Sequence, residues 1–156
     1  MKLKKVFIIL FLAVTALTTT VHAQNYKTAA GVRLGYENGI TLKNFFAPSS
    51  AFEGILSFSP RYFNLTALYE YQQPIPGARG FDWYVGLGGH IGGINKNKKK
   101  DNGAFLIGAD LIGGVEYTFP TAPFCVSLDW KPWFNFNDYN DYWFHGFALS
   151  LRYRFR

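Results

Sequence analysis

The sequence predicts an all-β fold: an eight-stranded antiparallel up-and-down transmembrane β-barrel that follows an N-terminal signal peptide. Three observations predict it. First, residues 143–156 alternate, with Trp143, His145, Phe147, Leu149, Leu151, Tyr153 and Phe155 on one side and Phe144, Gly146, Ala148, Ser150, Arg152, Arg154 and Arg156 on the other. A strand sends successive side chains to opposite faces, so this stretch carries one greasy face and one largely small or charged face. Its length suits a strand tilted across a bilayer, and it ends in aromatic residues suited to a water interface. Second, the period-two pattern recurs along the chain, and no segment has helical apolar periodicity of useful length. Third, aromatic residues make up 19% of the chain and glycine occurs 16 times, a mixture expected of an outer-membrane barrel.

The N-terminus fits an exported protein. Lys2, Lys4 and Lys5 form a positive start, residues 6–17 an apolar core, and Val21-His22-Ala23 offers small residues where a signal peptidase reads. The apolar run is too short to span a bilayer as a helix. Residues 1–23 are therefore read as a cleaved signal peptide and residues 24–156 as one barrel domain. Removing three of the 16 basic residues leaves 13 against 10 acids, a net charge of +3. Four of those 13 cluster at Lys96, Lys98, Lys99 and Lys100 and the rest are scattered, which argues against nucleic-acid binding. Cys125 is the single cysteine and has no intramolecular partner.

Eight strands are expected, over residues 27–37, 40–46, 51–58, 63–72, 81–94, 104–119, 124–134 and 142–155. Asn38-Gly39 is a hairpin signal between the first two. Pro48-Ser49-Ser50, Ser59-Pro60-Arg61, the Pro74 to Gly77 turn and the Pro120 to Pro123 turn separate later pairs, with polar loops at 95–103 and 135–141. Pro132 conflicts with a central strand position, so the ladder should end or bulge there.

Each strand has two distinct faces. On the fifth, Phe81, Trp83, Val85, Leu87 and Ile91 oppose Asp82, Tyr84, Gly86, Gly88 and His90. On the sixth, Phe105, Ile107, Leu111, Val115, Tyr117 and Phe119 oppose Gly108, Asp110, Gly114 and Glu116. Alternation alone does not say which face points inward, and a soluble lipocalin-like barrel would bury the apolar one. An eight-stranded barrel has room inside only for side chains. The aromatic-rich face would overfill it, whereas the face rich in Gly, Ala and Ser fits. Aromatics also gather near strand ends: Phe81, Trp83, Tyr117, Phe119, Phe124, Tyr153 and Phe155 at one end, Trp130 and Trp143 toward the other. The polar face carries both signs: Arg33, Lys43, Lys131, Arg152 and Arg154 against Glu53, Glu70, Asp82, Asp110, Glu116 and Asp129. Buried charges need such partners. These considerations place the apolar face outside and a plugged, charged lumen inside. An even strand count puts both chain ends on one side, the periplasm, and the 38–39, 59–62, 95–103 and 135–141 loops outside.

The signal peptide, the eight alternating strands and the aromatic C-terminal strand resemble the small outer-membrane barrels of the OmpA/OmpX-like superfamily. Several stretches look closer to short barrels of Bacteroidetes-type bacteria described only as outer membrane β-barrel proteins: Gly39-Ile40-Thr41-Leu42-Lys43, Asn64-Leu65-Thr66-Ala67-Leu68-Tyr69-Glu70, Trp83-Tyr84-Val85-Gly86-Leu87-Gly88-Gly89-His90, Gly114-Val115-Glu116-Tyr117-Thr118-Phe119-Pro120 and Ser127-Leu128-Asp129-Trp130-Lys131-Pro132. The resemblance covers the whole mature chain. It implies the outer membrane of a Gram-negative bacterium, contact with lipid and with the assembly machinery, and no established chemistry. The terminal aromatic of the pattern is penultimate here, followed by Arg156.

Some eight-stranded barrels are lipid-modifying enzymes, which require a nucleophilic Ser near a His with an acidic orienter. His145 and Ser150 lie five apart on one strand and so on opposite faces. His90 shares the lumen with acids, but no Ser of the flanking strands is level with it. It reads as a hydrogen-bonded lumen histidine. No catalytic residue, cofactor or metal is expected. The basic loop at Lys96, Lys98, Lys99 and Lys100 is the candidate functional surface, through contact with anionic lipopolysaccharide headgroups. A monomer with a structural or surface-interaction role is expected. An envelope lipid-modifying enzyme with an outer-loop site, or a narrow selective channel, is the alternative.

Overall fold

The alternating stretches form ten strand segments in the computed structural model, which describes residues 26–59, 62–94, 104–136, 142–143 and 146–155. They are β1 (Thr28–Gly35), β2 (Gly39–Ala47), β3 (Ser50–Ser59), β4 (Tyr62–Pro74), β5 (Phe81–Ile94), β6 (Ala104–Thr118), β7 (Phe124–Trp130), β8 (Trp133–Asn135), β9 (Tyr142–Trp143) and β10 (Phe147–Phe155). Every neighbouring pair is antiparallel. The sheet closes through β5–β6 at one seam and β1–β10 at another. The result is an eight-stranded barrel in which β8 continues the stave of β7 and β9 lies beside β8, beyond β10. No helix occurs among the described residues.

The register fixes the barrel's shape. From Arg33, partners run through Gly39, Ser57 and Asn64 to Gly92 in one direction. In the other direction they run through Ser150, Ser127 and Glu116 to Asp82. The two routes meet β5 ten residues apart, at Gly92 and Asp82. With strands about 4.8 Å apart and about 3.3 Å per residue, that stagger tilts the strands by roughly 40°.

Strand positions follow the sequence expectation closely, with two differences of physical interest. The first turn begins before Asn38-Gly39. Gly35 adopts φ 145° and its N–H donates to Asn38 Oδ1 at 3.0 Å, so Gly39 already opens β2. Pro132 interrupts the seventh stave as expected, since it has no N–H to give the ladder. Its carbonyl still accepts from Leu111 N at 3.0 Å, and the register to β6 is unchanged: Trp130 faces Gly113 and Trp133 faces Asp110. Trp130 was expected toward the loop end. It lies midway along this stave instead, because the strand resumes beyond Pro132.

Polarity is inverted relative to a soluble core. Leu87 is 61% exposed and Phe147 60%, and the rest of the outward row is also apolar: Val32, Leu42, Leu65, Ile91, Leu111, Leu128 and Leu151. The inward row holds charge, small residues and a few apolar side chains. Around the end that carries Thr28 and Phe155, rings pack edge to face or tilted on the outer wall: Phe81–Tyr117, Tyr117–Phe119, Phe124–Tyr153, Tyr153–Phe155 and Tyr71–Trp83.

Candidate functional site: the charged lumen

The inward side chains stack in layers. At the base, Tyr26, Ala29, Phe45, Ala51 and Cys125 form an apolar plug. Tyr26 packs edge-on against Phe45 at 5.2 Å and its hydroxyl donates to Glu116 Oε1 at 2.6 Å. Above the plug lies the principal charge network. Arg152 ion-pairs with Glu53, reaches Glu116 Oε2 at 3.2 Å and donates to Ser127 Oγ at 2.8 Å. Lys43 Nζ pairs with Glu70 Oε2 at 2.6 Å, donates to Gln72 Oε1 at 2.7 Å and stands 4.2 Å from the centre of the Tyr84 ring. Arg33 grips Asp129 with both terminal nitrogens, at 2.5 and 2.8 Å. Tyr84 donates to the same carboxylate at 2.9 Å. A bidentate guanidinium–carboxylate pair uses the donor geometry of arginine fully.

A septum of Ile55, Leu68 and Ile112 follows, with Tyr84 in the same cluster. Its position is set by the pleat. Ile55 lies between Glu53 and Ser57 on β3, Leu68 between Glu70 and Thr66 on β4, and Ile112 between Gly114 and Asp110 on β6. Beyond the septum is a second charge cluster. Lys131 Nζ pairs with Asp110 Oδ1 at 2.8 Å and Glu37 Oε2 at 2.9 Å. His90 Nδ1 lies 2.7 Å from Asp110 Oδ2 and its Nε2 lies 2.8 Å from Asn135 Oδ1.

Two glycines make room for this packing. A Cβ on Gly114 would stand 2.6 Å from Asp129 Cβ and 2.8 Å from Tyr84 Cζ. One on Gly86 would stand 2.9 Å from both Glu70 Cγ and Ile112 Cγ2. Bulky Tyr84 and the long acids occupy the volume those glycines leave.

All ten residues expected to form the lumen network face inward and are buried: Arg33, Lys43, Glu53, Glu70, Asp110, Glu116, Asp129, Lys131, Arg152 and Arg154. Nine of them ion-pair with one another or with neighbours as described. Arg154 does not join them. Its Nη2 donates to the carbonyls of Phe119 and Ala122, at 2.7 and 2.5 Å, and clamps the turn between β6 and β7. The reason is position, since Arg154 is level with that turn at the rim. Asp82 is half-buried there and accepts from Gln72 Nε2 at 3.1 Å. Glu37, Tyr26 and Asn135 belong to the lumen without having been singled out. Each lies at a strand end or beyond one, where period-two reading has no neighbour to anchor it.

Both ring nitrogens of His90 and both oxygens of Asp110 are engaged, and among the described residues no serine is a hydrogen-bond partner of either. The lysines of the basic loop, Lys96, Lys98, Lys99 and Lys100, lie outside the described residues, as do His145 and the signal-peptide residues 1–23. The chain matches no protein-family model, and a search of the curated proteins finds no match.

Proposed function

We propose that this protein is an integral outer-membrane β-barrel with a closed lumen, akin to the small barrels that its sequence resembles, and that it acts as a structural or surface-interacting element of a Gram-negative envelope. One observation carries the reading: charge inside, apolar side chains outside. A water-soluble barrel with that outer wall would expose a continuous apolar surface far beyond the patches monomers tolerate. A bilayer accepts it, and barrel closure leaves no backbone edge unpaired in hydrocarbon. The aromatic belt at the end carrying Thr28 and Phe155 suits a headgroup interface, which on this reading is the periplasmic one. Partners are then outer-membrane lipid, the assembly machinery that inserts the barrel, and lipopolysaccharide headgroups for the lysines of the 95–103 loop.

The layered lumen favours a plug over a pore. An ion passing through would have to break paired charges on both sides of the Ile55–Leu68–Ile112 septum. Fractionation tests the location: the protein should appear in the outer membrane and migrate differently on gels before and after heating. A soluble periplasmic monomer that needs no detergent would refute it. Planar-bilayer recording tests the plug, and steady single-channel currents from the unmodified protein would promote the channel alternative.

A further inference from the structure

His90 reaches along the lumen wall to a strand that is not its neighbour. It faces Gly108 on β6, and Gly108 faces Asn135 on β8, so the three residues form one row. The glycine between them lets the outer two meet, since a Cβ there would stand 2.6 Å from His90 Cε1. The His90 ring spans the gap, with Nε2 2.8 Å from Asn135 Oδ1 and Nδ1 2.7 Å from Asp110 Oδ2. The Trp133 ring, also on β8, stands edge-on to it at 6.0 Å.

Both ring nitrogens therefore face oxygens. Ionised carboxylates and amide oxygens only accept, and an imidazole donates from both nitrogens only as the cation. Charge counting agrees. Among the described residues, the charged groups around the ring are Asp110 from β6, Lys131 from the link between β7 and β8, and Glu37 from the turn between β1 and β2. Across β4 the ring meets the uncharged Thr66. With a cationic ring, His90, Asp110, Lys131 and Glu37 form an alternating row with two charges of each sign. With a neutral ring, two buried carboxylates would share one lysine, and an uncompensated buried charge is costly.

The strand that the ring holds has few other ties. β8 is three residues long, and the strand beyond it, β9, is two. Pro132 at its base gives the ladder no N–H.

We propose that cationic His90 latches β8 to the lumen wall, making the outer end of the seventh stave a proton-operated switch. β8 is held while the ring keeps both protons. Loss of the Nε2 proton turns a lone pair toward the Asn135 oxygen and leaves the row one positive charge short, so the hold weakens as pH rises through the ring's titration. Histidine is the side chain whose charge ordinarily changes between about pH 5 and 8. The latch needs only the register of the barrel, not its place in a membrane.

The test uses the full mature protein in detergent micelles, carrying His145→Gln so that His90 is the one histidine in residues 24–156. Nitrogen-15 NMR of the ring should show both nitrogens protonated at about pH 5 and one of them after titration. Amide hydrogen exchange, corrected at each pH for the intrinsic rate, should show β8 protection falling about tenfold or more at the same midpoint, the size expected on losing a hydrogen bond to a charged group. Protection of β7 should stay level. In Asn135→Leu the β8 protection should be low at every pH, with no step. Asn135→Asp keeps an oxygen acceptor and should restore the step. A ring with a single proton at about pH 5 overturns the proposal. So does β8 protection that ignores the His90 titration, or a step that survives unchanged in Asn135→Leu.

Discussion

Replacing Arg152 by methionine tests the lumen network most directly. Methionine fills much of the same volume but offers no charge and no donor. Arg152 is fully buried and bridges Glu53 and Glu116 while donating to Ser127 Oγ. Its loss leaves two carboxylates deprived of their shared cation. Breaking a buried pair by removing one partner costs about 3–5 kcal/mol, because the stranded charge stays desolvated. Partial compensation is visible: Glu116 keeps Tyr26 Oη at 2.6 Å and Gln72 Nε2 at 3.1 Å, and Glu53 keeps the Thr41 hydroxyl. We expect a loss of about 4 kcal/mol, within that range. With a urea dependence of about 2 kcal/mol per molar, the unfolding midpoint should fall by roughly 2 M. The assay is urea titration of protein refolded in lipid vesicles, read by tryptophan fluorescence and by the folded and unfolded gel bands. Adding Glu116→Gln should recover part of the loss, since it removes one of the stranded charges. A single variant within about 1 kcal/mol of the unmodified protein would refute the reasoning, because that is the size expected of an exposed ion pair.

Three further perturbations probe other layers. Leu149→Arg puts a charge on the outer wall at a residue 49% exposed; in vesicles it should cost about 2–4 kcal/mol if the wall meets hydrocarbon, and unchanged folding efficiency would argue for water on that face. Gly114→Ala drives a methyl into Asp129 and Tyr84, an overpacking worth about 1–3 kcal/mol, and should lower the thermal midpoint; a neutral result would mean the Tyr84 ring is free to retreat. Tyr26→Phe deletes only the hydroxyl that donates to Glu116 and should cost about 1.5–3 kcal/mol, the usual size for a hydrogen bond to a charged group, measured by the same urea titration.

Strand number and the choice of inward face were legible in the sequence, because each depends on local alternation and on side-chain size; the first turn was not, since Gly39 already opens β2. Phe, Leu and Tyr at every second position cannot fit inside an eight-stranded barrel, and Gly, Ser and single charges can. The Pro132 interruption was legible too, as a missing donor. Which charges meet was not. Arg33 and Asp129 are 96 residues apart and Arg152 and Glu53 are 99 apart. They share a level only because the barrel closes with a ten-residue stagger between Gly92 and Asp82. The same stagger sends Arg154 to turn carbonyls instead of an acid and aligns Ile55, Leu68 and Ile112 into a septum from three separate strands. It also brings Glu37, on a turn, to Lys131. Alternation along a strand is a property of neighbours in the chain, so the sequence alone determines it. Height inside a closed sheet depends on every pairing around the circle, so only the tertiary structure decides it.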